Sequence, residues 1–318
     1  MKKIGMIFLV IAASFFKVLS HTQPLEFEDW VNKELRPLAI KKGVSEQTLT
    51  RAFQDVKHIP QLTALESTDK PPLKERRIPP RIITARHKAK QHRRLLGIIQ
   101  NQYGVPKEVI LAVWGLESNF GTQTGHFITI YALSKLAFEG HRREFFMNEL
   151  IEALKIIQTQ KMDPQQLKGS LTGGLGQCQF MPSTFNAFAV DASGKGCKDI
   201  WNSIDDVFSS IANYLANAGW QASEPWGTEV ILPPDFDRSL ATLKIQHPAD
   251  YWRHLGIKPK KEDQTLPDLK ASLLIFNEKA FLVYNNFRVI LKWNNSQRFA
   301  LRICQFADQI RSYDNEHI

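Results

Sequence analysis

Only three cysteines, Cys178, Cys197 and Cys304, occur in the 318 residues. That is too few for a fold framed by disulfides. One bridge would leave an odd thiol, and no two cysteines have the CxxC spacing of a structural zinc site. After the first twenty residues there is no long apolar run, which excludes a transmembrane helix from the rest of the chain. Internal repeats and low-complexity tracts are missing as well, so solenoid and tract-like architectures drop out.

What is present begins with Met1-Lys2-Lys3, an apolar run from Ile4 to Phe16, and Val18-Leu19-Ser20. A charged start, a short apolar core and small residues before a cut site make residues 1–20 a secretory signal peptide. An uncleaved membrane anchor is the competing reading, since Lys17 stands beside the cut site. No cysteine follows that site, so a lipoprotein anchor is not expected. The mature protein is read as exported and soluble, starting near His21.

Lys2, Lys3 and Lys17 take with them three charges, which lowers the net charge from +9 to +6. Much of the surplus lies in KERRIPPRIITARHKAKQHRR, Lys74 to Arg94. No nucleic-acid-binding motif accompanies it, and export argues against such a partner. A solvated helix face is the preferred reading, and attraction to an anionic polymer outside the cytoplasm stays open.

Helical spacing runs through residues 26–58, with Ser45 as an N-cap. STDKPPLKERRIPP reads as a linker. Helical patterns resume from Arg81 to Tyr103 and stop at Gly104, and Pro106 opens another helix. Two loops, KGSLTGGLGQCQFMPST and DASGKGCKDIWNS, break the helical stretch that follows. Beyond Trp220 the texture changes. TEVILPPDF reads as a short strand, and AFLVYNNFRVILKWNN as two strands meeting at Asn285-Asn286. RFALRICQFADQIRS returns to helical spacing. The expected class is α+β, predominantly α-helical, with a small β element late in the chain. The expected division is 21–95, an N-terminal helical region and Pro-rich linker; 96–225, a helical core; and 226–318, a small β region and C-terminal helix.

One carboxylate stands out in VWGLESNFG, Val113 to Gly121. On a helix from Val109 to Phe120, residues Val109, Ala112, Val113, Leu116 and Phe120 share one face. Glu117 sits at its border, with Trp114 nearby. A carboxyl held there is desolvated and its pKa rises, which suits a general acid at near-neutral pH. A rim glutamate paired with an arginine fits this segment equally well.

GSLTGGLGQCQFMPSTF, Gly169 to Phe185, adds a second feature. Gly173, Gly174 and Gly176 let backbone approach a ligand. Gln177 and Gln179 supply amide groups, and Phe180 and Met181 supply apolar contact. Such a loop suits a polyhydroxylated ligand. It is not a phosphate loop, because the Lys-Ser/Thr pair is absent. Pro182-Ser183-Thr184 reads as a helix start.

GLESNFG, LKGSLTGGLGQCQFMPSTFNAFAVD, DIWNSIDDVFSSIANYL and NFRVILKWNNSQRFAL together resemble the lytic murein transglycosylases of the membrane-bound lytic transglycosylase B type. The resemblance runs in order from about residue 26 to 310. It implies a lysozyme-like helical core at 96–225, an additional helical domain and a small β domain. It also implies that Glu117 is the single catalytic acid and base. Arg142 and Arg143 match a pair lining a glycan cleft. Ser170 matches a serine near the carboxyl, Gln179 a cleft glutamine and Tyr214 a cleft tyrosine. Trp293 and Asn294 take the place of a Tyr-Asn pair; Trp keeps the stacking face and loses the hydroxyl, so Asn294 alone carries over.

The chain departs from the family at DASGKGCKDIWNSID, where some relatives have a calcium-binding loop. Asp191, Ser193 and Asp205 remain, but Lys195 replaces a third acidic ligand. No metal and no cofactor are expected. Cys178 is the other departure. A Cys178–Cys197 bridge would join the glycine-rich loop to this one, but the sequence does not give their separation.

The implied activity is cleavage of the β-1,4 bond between N-acetylmuramic acid and N-acetylglucosamine in the periplasm, leaving 1,6-anhydromuramyl ends. The implied partners are peptidoglycan glycan strands, met as a monomer, with cell-wall synthesis or division complexes as candidate hosts. A hydrolytic muramidase and a non-catalytic peptidoglycan scaffold are the rival readings.

Overall fold

Val109 to Val113 contains no polar side chain, so a helix built from it has no face to show to water. That helix is the innermost one. The structure, a computed structural model, describes residues 27–54 and 78–316. The expected signal peptide, most of the Pro-rich linker and the start of the basic run lie outside the described residues.

The helices are α1 (Phe27–Trp30), joined through a π turn at Val31–Leu35 to α2 (Arg36–Lys41), then α3 (Glu46–Phe53), α4 (Ile78–Gln91) and α5 (Arg93–Tyr103). They continue with α6 (Lys107–Ser118), α7 (Thr129–Glu139), α8 (Arg143–Thr159), α9 (Pro182–Phe188) and α10 (Ile204–Asn217). The last are α11 (Ala249–His254), α12 (Asn285–Trp293) and α13 (Gln297–Glu316). Helix α6 is enclosed by α4, α5, α10 and α13. Residues Glu108 to Gly115 are all buried, so the single apolar face expected from the spacing is in fact burial on every side. The helix also stops earlier than expected. Asn119, Phe120 and Gly121 have φ of +50°, +58° and +82°, and Phe120 turns back so that its ring meets Trp114 at 5.3 Å.

The first three helices pack on the core through α3 and α8. Ser45 caps α3 as expected, its hydroxyl accepting from the Thr48 N–H at 3.2 Å. Gln158 of α8 accepts from the Ser45 N–H at 2.7 Å and donates to the Gly43 carbonyl at 3.1 Å. Trp30 meets Phe138 of α7 at 5.5 Å.

Strands β1 (Phe127–Ile128) and β2 (Lys168–Gly169) form a small antiparallel pair. Strands β3 (Gly227–Ile231), β4 (Lys258–Pro259), β5 (Ser272–Phe276) and β6 (Lys279–Val283) form an antiparallel sheet in the order β4-β3-β6-β5. The two strands expected across Asn285-Asn286 are corrected here. β6 pairs with β5 before it, through a tight turn at Asn277 and Glu278, both at positive φ. The residues after it form α12. Asn286, Phe287, Val289 and Ile290 are its buried face, and that spacing is helical despite the β-branched content. Asn286 is no hairpin tip. Its buried amide donates to the carbonyls of Gln221 and Glu224 and accepts from the Gln221 N–H.

Apolar side chains form two clusters. A small one, with Trp252, Leu273, Leu282 and Tyr284, lies at the sheet. The large one contains α6 and also takes in α12 and α13, so region 226–318 contributes to both. No disulfide joins the two loops. Cys178 is buried with its thiol 3.6 Å from the Val207 carbonyl, Cys197 is exposed, and both are free.

Candidate active site

Glu117 is in the last turn of α6, where the buried helix reaches the surface. The residue keeps partial contact with solvent, yet burial governs its carboxyl and pushes the pKa up to about 7. One hydrogen bond opposes that rise: the Trp293 indole N–H donates to Glu117 Oε1 at 2.6 Å. Trp293 is the site residue that sequence reasoning discounted. Replacing tyrosine by tryptophan removes a hydroxyl but supplies another donor. The signal was in the side-chain chemistry; the contact itself spans 176 positions in sequence.

The Trp293 ring is held in place. It meets Tyr214 edge-on at 4.9 Å and Phe180 at 5.2 Å. The Tyr214 hydroxyl, expected in the cleft, donates to the Lys292 carbonyl at 2.6 Å. It thereby fastens the end of α12 to α10.

The glycine-rich loop folds beside this group. Gln177, read in the sequence as a ligand-facing amide, is corrected to a brace. Its Oε1 accepts from Trp114 Nε1 at 2.7 Å and its Nε2 donates to the Trp201 carbonyl at 2.7 Å. Gly121 is required here, since a Cβ on it would lie 2.4 Å from Gln177 Oε1. Gln179 adopts φ +52° and donates to the carbonyls of Thr124 and Gly176. The Ser170 hydroxyl accepts from the Gly174 N–H at 2.9 Å. A Cβ on Gly174 would meet Ser170 Oγ at 3.0 Å and Gln179 Oε1 at 2.9 Å, so the structure brings Ser170 and Gln179 together around that glycine. Buried Cys178 feels Glu117 directly. Burial, and then the Glu117 charge, raise its thiol well above the usual range, so it stays neutral.

The arginines divide. Arg142 lies exposed with its guanidinium 4.0 Å over the Phe145 ring. Arg143 donates to the Ala137 carbonyl at 3.1 Å and pairs with Glu34 of the π turn at 3.0 Å. Asn294, the residue after α12, is exposed.

The loop at 191–203 does not fit a calcium ion. Asp191 accepts from the Ser193 hydroxyl and from the N–H groups of Lys195 and Gly196. Desolvation is the largest single effect and raises its carboxyl, but the donors from Gly196, Lys195, Ser193 and Gly194 together outweigh it and hold the carboxyl below the usual range. Both Asp206 oxygens are taken by the N–H groups of Ser193 and Asp199. Lys195 brings a cation to the place of a ligand.

Comparison with known proteins gives three findings. The family model "Transglycosylase SLT domain" matches residues 26–308. The Escherichia coli (strain K12) "Membrane-bound lytic murein transglycosylase B" is 32% identical over 219 residues, which is 65% of this chain and 58% of that relative's length. Among solved structures, SltB3 from Pseudomonas aeruginosa in complex with NAG-anhNAM-pentapeptide superposes with a TM-score of 0.80 at 38% identity, covering 90% of this chain and 80% of that one. SltB1 from the same organism gives 0.75 at 28% identity, covering 88% and 98%.

Proposed function

This chain belongs to the transglycosylase SLT domain family, and we propose that it is a lytic transglycosylase acting on peptidoglycan glycan strands, with Glu117 as its one catalytic acid and base. The SltB3 complexes with NAG-anhNAM-pentapeptide and with NAG-NAM-pentapeptide support this class of ligand. The observation that carries the chemistry is Glu117 itself. Its pKa near 7 leaves it protonated often enough to act as an acid and ionised often enough to act as a base.

Glu117 donates its proton to the oxygen between N-acetylmuramic acid and N-acetylglucosamine, and the bond from that oxygen to the muramyl anomeric carbon breaks. The carboxylate then takes the proton of the muramyl 6-hydroxyl, whose oxygen closes onto the same carbon. No water enters, and the muramyl end is a 1,6-anhydro sugar. A hydroxyl already carried by the reacting ring needs no second carboxylate to activate it.

A hydrolase would set a second carboxyl at about 5–5.5 Å or about 6.5–9.5 Å from the first. A carboxylate so close in a desolvated site would raise Glu117 further. Among the described residues none does so: burial and Trp293 account for its shift.

Ser170, Gln179 and Asn294 form the polar margin of the proposed cleft. Of the arginines, Arg142 is taken to meet the strand, because its guanidinium has no acidic partner among the described residues, whereas Arg143 is paired with Glu34. Tyr214 acts through Trp293. The protein works without a metal or cofactor, as an exported periplasmic monomer, in cell-wall synthesis or division complexes. Among the described residues no helix is long and apolar enough to cross a membrane.

Mass spectrometry of sacculus digests tests the reading, because an anhydro end is one water lighter than a hydrolysed one. Anhydro ends from the native protein and none from Glu117→Gln are expected. Hydrolysed ends would make it a muramidase, and unchanged cleavage by the variant would remove Glu117 from the chemistry.

A further inference from the structure

We propose that Trp293 gives the two oxygens of Glu117 different tasks: the indole N–H holds Oε1 as a permanent acceptor, so Oε2 carries, delivers and retrieves the proton. The proposal rests on Glu117 being the acid and base.

An indole N–H donates and cannot accept. A neutral carboxyl has one O–H and one carbonyl oxygen. Were the proton on Oε1, the indole N–H, 2.6 Å away, would have only a carboxyl hydroxyl oxygen to accept it, a much poorer acceptor than a carbonyl oxygen. The proton is therefore favoured on Oε2. After ionisation Oε1 still accepts the same hydrogen bond, now stronger because the acceptor is charged. One rotamer serves both halves of the reaction, and nothing reorganises between the acid step and the base step.

The donor is anchored for this. Tyr214 and Phe180 enclose the ring at 4.9 and 5.2 Å. The residue before it is tied to α10 by its backbone, through the Tyr214 hydroxyl on the Lys292 carbonyl, and to the end of α10 by its side chain, through Lys292 Nζ on the Ala218 carbonyl at 2.7 Å. Tyrosine at this place would lack that asymmetry, because a phenol can both donate and accept. Trp293 is thus a positioning residue.

The other titratable groups nearby do not replace it. Cys178 on the glycine-rich loop is a neutral thiol. Tyr214 on α10 is kept protonated by burial. Lys88 on α4 and His92 just after it approach the Trp114 ring, at 5.9 and 6.3 Å. Asp308 on α13 accepts from Trp226 at 2.8 Å. None of them shifts Glu117.

Two variants test the proposal: Trp293→Phe, and full-length protein in which the indole of Trp293 is replaced by benzothiophene, the same shape with sulfur for N–H. Glu117 is followed by carbon NMR of its labelled carboxyl, and turnover of purified sacculi is measured against pH. Losing the donor is expected to raise the Glu117 midpoint by about one pH unit, the tenfold change a hydrogen bond to a charged group is worth. The alkaline limb of turnover moves up with it, and the melting temperature of the benzothiophene protein stays that of the native one. An unmoved midpoint in either folded variant, or a rate lowered equally at every pH, would overturn the proposal. Activity in Glu117→Gln would instead remove the catalytic reading, while the NMR midpoint would still judge the hydrogen bond.

Discussion

At the scale of single residues, the site holds an ionisable group against its preference. Glu117 has a pKa of about 7 in the fold against 4.5 unperturbed. The folded value is raised, so its contribution to stability is fully present below pH 4.5 and is lost as pH rises through 7. Glu117→Gln should therefore melt at the native temperature near pH 4 and be more stable by about 1–3 kcal/mol at pH 8. Thermal unfolding across that range checks it, and equal melting at pH 8 would contradict the desolvation. Gln177 is the opposite case, fully used by its surroundings. Gln177→Ala strands the Trp114 N–H and the Trp201 carbonyl, and denaturant unfolding should show a loss of about 2–4 kcal/mol.

Single elements carry two further expectations. The β5–β6 turn places Asn277 and Glu278 at φ +48° and +62°, a conformation that glycine adopts without strain. Glu278→Gly should stabilise the protein by about 1 kcal/mol, read as a higher denaturation midpoint with an unchanged slope. In the loop at 191–203 the carboxylates of Asp191 and Asp206 are occupied by the loop's own donors. Calcium or a chelator should leave the melting temperature unchanged, whereas Lys195→Asp should make it rise with calcium. Calcium bound by the native loop in calorimetry would refute this.

Over the whole molecule, distant segments meet through single side-chain pairs. Glu34 comes from the N-terminal helices and Arg143 from the start of α8, and the pair is largely exposed. Such a bridge is worth about 0–1 kcal/mol. Arg143→Ala should lower the melting temperature by a few degrees at most and leave KM for sacculi nearly unchanged. Arg142→Ala should do the reverse, raising KM severalfold without a change in melting. If both variants altered KM alike, the two arginines would have to share the cleft.

Elements whose cause is local are legible in the amino-acid sequence. Ser45 caps α3 because its hydroxyl reaches an N–H three residues on. Val109 to Val113 makes a buried helix because it has nothing polar to expose, and Glu117 stands out against it. Tertiary structure decided the rest. The stretch after Val283 has helical spacing in the sequence, but packing decides between that and its β-branched content, because those residues are satisfied by a core that the chain completes elsewhere. Only folding brings Trp293 to Glu117 and turns Gln177 inward. A side chain's type states which hydrogen bonds it can make, whereas its partner is set by contacts between residues far apart in the chain.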